Sequence, residues 1–501
     1  MTANPVARTA HGKVEGEWNE GVARFRGVPF ADRIDGPGRF QPVRPPRRWT
    51  DVRKAQTWAP MTPQVADASV VRDGAYHRFL FGAFYDTPMS EDGLFLNVWT
   101  PSPERGAGRP VMVWLHGGGF ATGTPTRPRE EPSRLSARGD VVVVAPNHRL
   151  GAFGYLYRDL PGDRFVTPNL GMLDVIAALE WVAENIEAFG GDPNAVTVFG
   201  ESGGAMKTAT LLSMPRARGL FHRGICQAGV FAKGFRFAPL TRAVADEASV
   251  SLMTRLGVGD DLAALAALPR EALIEAQQNA DGGPMAWRPV VDGDILPVDP
   301  AEALVEGTDL AVPMIVGCAA HEADFIFHGA PRTRDQLVEM FGQDGGRLFD
   351  AYAGRRPQAA AEDVAEAVLS DSAFGMPTVR FAEHRAAAGH RTYVYQIGWT
   401  RPDNPSARAT HGAENPFVFD RLETTAYSRG VAAAEPLAKT MQAAWIAFAR
   451  TGDPNAAALP SWPPYVSPDR PMMIFDVASR VANDPKRAER EAWRSIIGKH
   501  A

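Results

Sequence analysis

Short apolar runs of strand length alternate along this chain with segments whose apolar residues recur at helical spacing. Residues 110–115, 140–146, 195–199, 224–228, 312–317 and 392–397 are nearly continuous in apolar side chains, as strands covered on both faces are. Between 173 and 189, Leu173, Ile176, Leu179, Val182, Ile186 and Phe189 share one helical stripe, and Gly190-Gly191-Asp192-Pro193 stops it. A last helix is expected over about 430–450, burying Met441, Trp445 and Phe448 and closed by Gly452-Asp453-Pro454. Its apolar face suits either the chain's own core or a second subunit, so the oligomeric state stays open. Strands separated by helices predict an α/β fold, a mostly parallel sheet with helices on both faces. Ala/Glu-rich stretches at about 240–280 and 332–372 read as helical insertions above the sheet, the walls of a gorge or a lid. With no repeat and no low-complexity linker, residues 1–501 are expected to form a single domain.

One turn in this pattern carries chemistry. Gly200-Glu201-Ser202-Gly203-Gly204 follows the run 195–199 and precedes the helix-compatible Ala205-Met206-Lys207-Thr208-Ala209. A strand turning sharply into a helix on G-x-S-x-G is a nucleophile elbow, the mark of an α/β-hydrolase fold. A serine hydroxyl needs a positioned base, and that base an orienting acid. In this fold they follow in the order serine, acid, histidine, at the carboxyl ends of strands. After the strand at 312–317 come His321-Glu322-Ala323-Asp324, and after the strand at 392–397 comes Thr410-His411-Gly412-Ala413-Glu414. Glu322 or Asp324 is the candidate acid and His411 the candidate base. His321 and His328 flank the acid segment instead of occupying the late loop.

The bulk numbers narrow the class further. A formal charge of −5 with no clustered basic stripe argues against nucleic acid as a partner. Cys226 and Cys318 are the chain's two cysteines, too few for a disulfide framework. They are expected as buried thiols in a reducing compartment. Residues 1–26 hold no apolar core of signal-peptide length, and the longest apolar runs are strand-sized. A cytoplasmic protein with no membrane partner is expected. No H-E-x-x-H or comparable spacing suggests a metal, and no cofactor is expected.

Further segments complete a resemblance. They are Phe25-Arg26-Gly27-Val28-Pro29-Phe30-Ala31, Ser90-Glu91-Asp92-Gly93-Leu94-Phe95-Leu96-Asn97-Val98-Trp99, His116-Gly117-Gly118-Gly119-Phe120, Asn147-His148-Arg149-Leu150-Gly151, Phe189-Gly190-Gly191-Asp192-Pro193 and Trp445-Ile446-Ala447-Phe448-Ala449-Arg450-Thr451-Gly452. In this order, with the elbow, they resemble the type-B carboxylesterases, the family of cholinesterases and p-nitrobenzyl esterases. The resemblance implies a serine carboxylesterase acting on small to medium, mainly uncharged esters. Ser202 would be the nucleophile, Glu322 the acid and His411 the base, with the oxyanion on the N–H groups of Gly118, Gly119 and Gly203. It also implies buried pairs of Arg149 with Asp174 and of Arg39 with Glu91. Phe235, Phe325 and Ile326 would line the acyl and alcohol pockets. Glu201 and Glu414 would either shape the field of the gorge or serve as hydrogen-bonded scaffolding. Carbamate or amide hydrolysis with the same triad is the alternative. A non-catalytic interaction module is disfavoured because all three triad candidates and the glycine triplet are kept.

The chain departs from that family in three places. Gly93 stands where the family usually has a disulfide cysteine, so the loop at about 65–88 is unstapled. Gly203 replaces the usual alanine after the nucleophile, which is expected to leave the turn freer. The position of the choline-stacking tryptophan of cholinesterases falls near Ala83, beside Phe84 and Tyr85. A choline site is therefore not expected.

Overall fold

The computed structural model describes residues 3–497 apart from 35, 66–73, 83–86, 161–165, 236, 281–282, 327–331 and 458. Ala83, Phe84, Tyr85 and His328, named above, lie outside the described residues. The apolar runs assemble into an eleven-stranded sheet. Its order across the sheet is Arg480–Asn483, Pro471–Phe475, Thr392–Ile397, Met314–Ala319, Arg223–Gln227, Gly191–Glu201, Arg109–Leu115, Val142–Pro146, Phe95–Thr100, Val22–Pro29 and Glu17–Asn19. From Pro471–Phe475 to Val142–Pro146 every neighbouring pair is parallel, and the pairs outside that block are antiparallel. The fold is the α/β-hydrolase one.

Strand periodicity divides the apolar residues between two cores. Along Arg109–Leu115, Val111, Val113 and Leu115 enter one cluster while Met112 and Trp114 enter the other. Helix Leu170–Asn185 covers the first face, and the turn Ile186–Phe189 carries its stripe on to Gly190 at φ 82°. Helix Ala434–Thr451 covers the second. Its Met441, Trp445 and Phe448 have no exposed surface. Burying a side chain of that size is worth about 1.5–3 kcal/mol. That face is therefore core within one chain.

The two predicted insertions are helical. The first holds Arg242–Arg255, Leu262–Ala267 and Arg270–Gln278, and the second Arg334–Phe341, Gln343–Arg355 and Ala361–Ser370. Thr241, Asp261 and Thr333 start three of these helices by accepting N–H bonds from Val244, Ala264 and Gln336. A π-helical turn, Asp371–Gly375, closes the second insertion.

Both expected ion pairs form, as two-pronged contacts. Arg149 meets Asp174 at 2.8 and 2.6 Å, and Arg39 meets Glu91 at 2.7 Å through two nitrogens. Arg149 also donates to the carbonyls of Arg39 (3.1 Å) and Gln41 (2.8 Å), tying the two pairs together. Cys226 and Cys318 are buried and unbridged. Among the described residues no helix is long and apolar enough to cross a membrane.

Candidate active site

The elbow forms because strand and helix leave no room for side chains between them. A Cβ on Gly204 would overlap the carbonyl oxygen of Leu115, and one on Gly200 would press on Gly204 and Leu115. The turn holds Ser202 at φ 54°, ψ −120°, a conformation L-residues adopt only when the surroundings enforce it. Ser202 N–H donates to the carbonyl of Gln227 at 2.8 Å, and Met206 N–H donates to the carbonyl of Ser202 at 2.9 Å.

The two later loops meet above this turn. His411 Nε2 lies 2.8 Å from Ser202 Oγ, and His411 Nδ1 lies 2.5 Å from a carboxylate oxygen of Glu322. The other oxygen of Glu322 accepts the N–H of Ala319 at 2.7 Å. A backbone bond from His321 N–H to the Ala409 carbonyl, 2.9 Å, sews the acid loop to the histidine loop. Asp324 is elsewhere engaged. Arg408 meets it at 3.0 Å through two nitrogens, and Arg332 forms a second ion pair with it. Of the two candidate acids, only Glu322 reaches the imidazole. His321 turns away to Glu366, 3.0 Å distant.

Three buried carboxylates surround His411. Burial alone would lower its pKa, but Glu322, Glu201 and Glu414 outweigh that and raise it to about 9. Glu201 lies 3.3 Å from Nε2 and 3.9 Å from the Arg129 guanidinium, and its own pKa is raised by burial. Burial, with Glu322 and Glu201 nearby, pushes Glu414 up to about 8, and Tyr395 donates to it at 3.1 Å. Behind these groups runs a buried polar chain. Trp445 donates to Gln227 (3.1 Å), Gln227 to Asn415 (3.0 Å) and Asn415 to Glu130 (3.1 Å).

The loop after Leu115 faces the elbow. Gly118 and Gly119 have φ of 98° and 62°, open to glycine at little cost. None of the hydrogen bonds among the described residues uses the N–H of Gly118, Gly119 or Gly203. A Cβ on Gly203 would overlap the carbonyl of Gly119. This corrects the expectation that glycine leaves the turn freer: Gly203 is where the loop closes onto the helix. Lys207, one turn along that helix, is wholly buried and donates to the Gly119 carbonyl at 2.7 Å. Burial pulls its pKa down to about 7, with Glu201 opposing.

These groups open into a cavity of about 270 Å³. Phe325 and Ile326 line it as expected, and so does Glu201. Phe235 does not. Its ring packs on Trp493 at 5.8 Å, and Phe237, two residues on, takes the place at the wall. Sequence reasoning also missed Phe374, which the π-helical turn stacks on His411 at 4.9 Å, and Met285, Phe81 and Arg129. Arg129 is an internal cation here. Its guanidinium sits 4.2 Å above the Phe81 ring, pairs with Glu130 at 3.0 Å and donates to the Gly412 carbonyl at 3.3 Å. The polar run Thr126-Arg127-Pro128-Arg129-Glu130-Glu131 gives no mark of an internal cation, whereas Lys207 stands out inside the largely apolar run 205–212 after the elbow.

Residues 3–493 match the carboxylesterase family. The para-nitrobenzyl esterase of Bacillus subtilis (strain 168) is 33% identical over 97% of this chain and 98% of its own length. The phenmedipham hydrolase of Pseudarthrobacter oxydans is 34% identical over 99% of this chain and all of its own. Among solved structures, a carboxylesterase of Geobacillus stearothermophilus superposes with a TM-score of 0.84 at 34% identity, covering 97% of this chain and 99% of its own.

The contacts of the two candidate acids separate their expected effects. Glu322→Gln should lower kcat by on the order of 10³–10⁴ by disturbing the imidazole tautomer, whereas Asp324→Asn should stay within about tenfold of wild type. Steady-state rates on a p-nitrophenyl ester check the ranking, and the reverse order would move the acid to Asp324.

Proposed function

This chain belongs to the carboxylesterase family and is a carboxylic ester hydrolase; on that premise we propose that Ser202, His411 and Glu322 carry the reaction. The observation that supports this most is one imidazole within hydrogen-bond reach of both Ser202 Oγ and Glu322. Ser202 Oγ attacks the ester carbonyl carbon while His411 Nε2 takes its proton. The carbonyl oxygen becomes an oxyanion and is received by the N–H groups of Gly118, Gly119 and Gly203. Each such donor is worth about 10²–10³ in rate. His411 then returns the proton to the departing alcohol oxygen, leaving an acyl group on Ser202. Water attacks the acyl carbon while His411 takes its proton, and collapse of the second oxyanion breaks the bond to Ser202 Oγ, which recovers the proton from His411 as the acid leaves. Glu322 holds the Nδ1 proton and balances the charge on the imidazolium.

The cavity supports small to medium uncharged esters as substrates. Phe81, Phe237, Met285, Phe325, Ile326 and Phe374 supply apolar walls. Arg129 already covers the ring of Phe81 and faces Glu201. A cationic leaving group would meet this resident cation where it needs an open ring face and an unpaired carboxylate. The two unbridged thiols suit a reducing compartment and support a cytoplasmic location.

A panel of p-nitrophenyl esters from acetate to decanoate tests the reading, run with phenmedipham, an aryl carbamate and an anilide. Turnover should show a chain-length optimum set by the cavity and should vanish in Ser202→Ala. Near-wild-type turnover in that variant would rule out the triad. The pH profile gives a second check. Catalysis needs neutral His411, so kcat/KM should rise with pH to an inflection near 9, above the ordinary imidazole range. Glu201→Gln removes one of the charges that raises this value, so the inflection should move to lower pH. An unmoved inflection would remove Glu201 from the electrostatics of the base.

A further inference from the structure

Helix Gly203–Leu211 is buried along its whole length, and Lys207 is its one ionisable residue. A buried amine loses its hydration and must be compensated by hydrogen bonds where it stands. Its hydrogen-bond partners lie in a single loop, and Glu201 on the elbow acts on it through charge. Nζ donates to the Gly119 carbonyl at 2.7 Å and to the His116 carbonyl at 3.3 Å, and lies 5.3 Å from the centre of the Phe120 ring. Gly203 and Lys207 are four residues apart on one helix face. The Gly119 carbonyl therefore rests between a residue with no room for a Cβ and a buried amine that donates to it.

The other carbonyls of this loop are engaged too. Gly117 O lies 2.8 Å from His116 Nδ1, and Gly118 O accepts from Thr122 N–H at 3.0 Å. Each carbonyl from residue 116 to 119 thus has a partner, and the first and last of them share Lys207. Holding those oxygens leaves the N–H groups of Gly118 and Gly119 for the cavity.

We propose that Lys207 is a positioning residue for the oxyanion hole, its buried amine fixing both ends of the 116–119 loop by hydrogen bonds and so aiming the N–H groups that receive the oxyanion. The inference rests on the Ser202–His411 chemistry proposed above. It makes Lys207 act in the transition state, where the oxyanion exists, and hardly at all on the neutral substrate.

The test compares wild type, Lys207→Met and Lys207→Gln, with Ser202→Ala as the blank. For each, kcat and KM are measured on p-nitrophenyl acetate, with Ki for an alkyl trifluoromethyl ketone, which adds to a serine to give an oxyanion. Thermal midpoints are recorded alongside. In Lys207→Met, kcat should fall about 10- to 100-fold, and Ki should weaken by a similar factor. KM should stay within about threefold, since ground-state binding is untouched. Lys207→Gln keeps a shorter donor for the Gly119 carbonyl and should fall between wild type and Lys207→Met. It also serves alone if the methionine variant does not fold. A loss confined to KM, a change in kcat below about threefold, or a lowered thermal midpoint with kcat and Ki per folded site unchanged would overturn the proposal. Turnover by Ser202→Ala would instead overturn the triad and leave Lys207 without a role.

Discussion

The whole site depends on how closely the elbow packs against the end of strand Arg109–Leu115. The backbone at Gly200 and Gly204 approaches Leu115, and Gly203 approaches Gly119, with no space for a Cβ at any of the three. This contact turns the chain hard enough to hold Ser202 at φ 54°. Such a conformation costs on the order of 1–3 kcal/mol, and it persists because the surroundings over-determine it. The same contact seats the glycine loop on the first turn of the next helix. Nucleophile and oxyanion donors are thereby built into one rigid unit, with Lys207 holding the glycine loop from the helix side.

Charge is the second constraint, and it is managed differently on the two sides of the serine. On the histidine side, Glu201, Glu322 and Glu414 all lie within the field of one imidazole. Three negative charges there repel one another, and burial together with that repulsion raises the pKa of both Glu201 and Glu414. Arg129 and Glu130 continue the network outward, and Asn415 joins it to the sheet through Gln227. On the loop side the balance is met by backbone. Lys207 has carbonyls as its hydrogen-bond partners, which ties a buried amine to the position of a loop.

The fold and the reacting groups were legible in the sequence because they follow from local rules. Strand-length apolar runs, the G-x-S-x-G turn and the chain order of serine, acid and histidine need no knowledge of long-range packing. The choice between Glu322 and Asp324 was not local. Both follow the same strand, and what separates them is Arg408, eighty-odd residues on, which occupies Asp324. The pocket wall was harder still. Phe235 and Phe237 lie on the same irregular segment, and it is the C-terminal Trp493 that claims Phe235. Phe374 reaches His411 because a π-helical turn reorients it, a feature with no clear mark in composition. Gly203 was visible as a departure, but its meaning needed the position of Gly119.

The most direct test of the central claim is to trap the acyl group. Enzyme mixed rapidly with p-nitrophenyl acetate should release a burst of p-nitrophenol of up to one equivalent per chain. Acid quenching followed by peptide mass mapping should then place one acetyl group on the peptide carrying Ser202. A full burst with the acetyl group on another residue would contradict the assignment of the nucleophile, and so would rapid ester turnover by an enzyme in which a serine-directed phosphonate had already occupied Ser202.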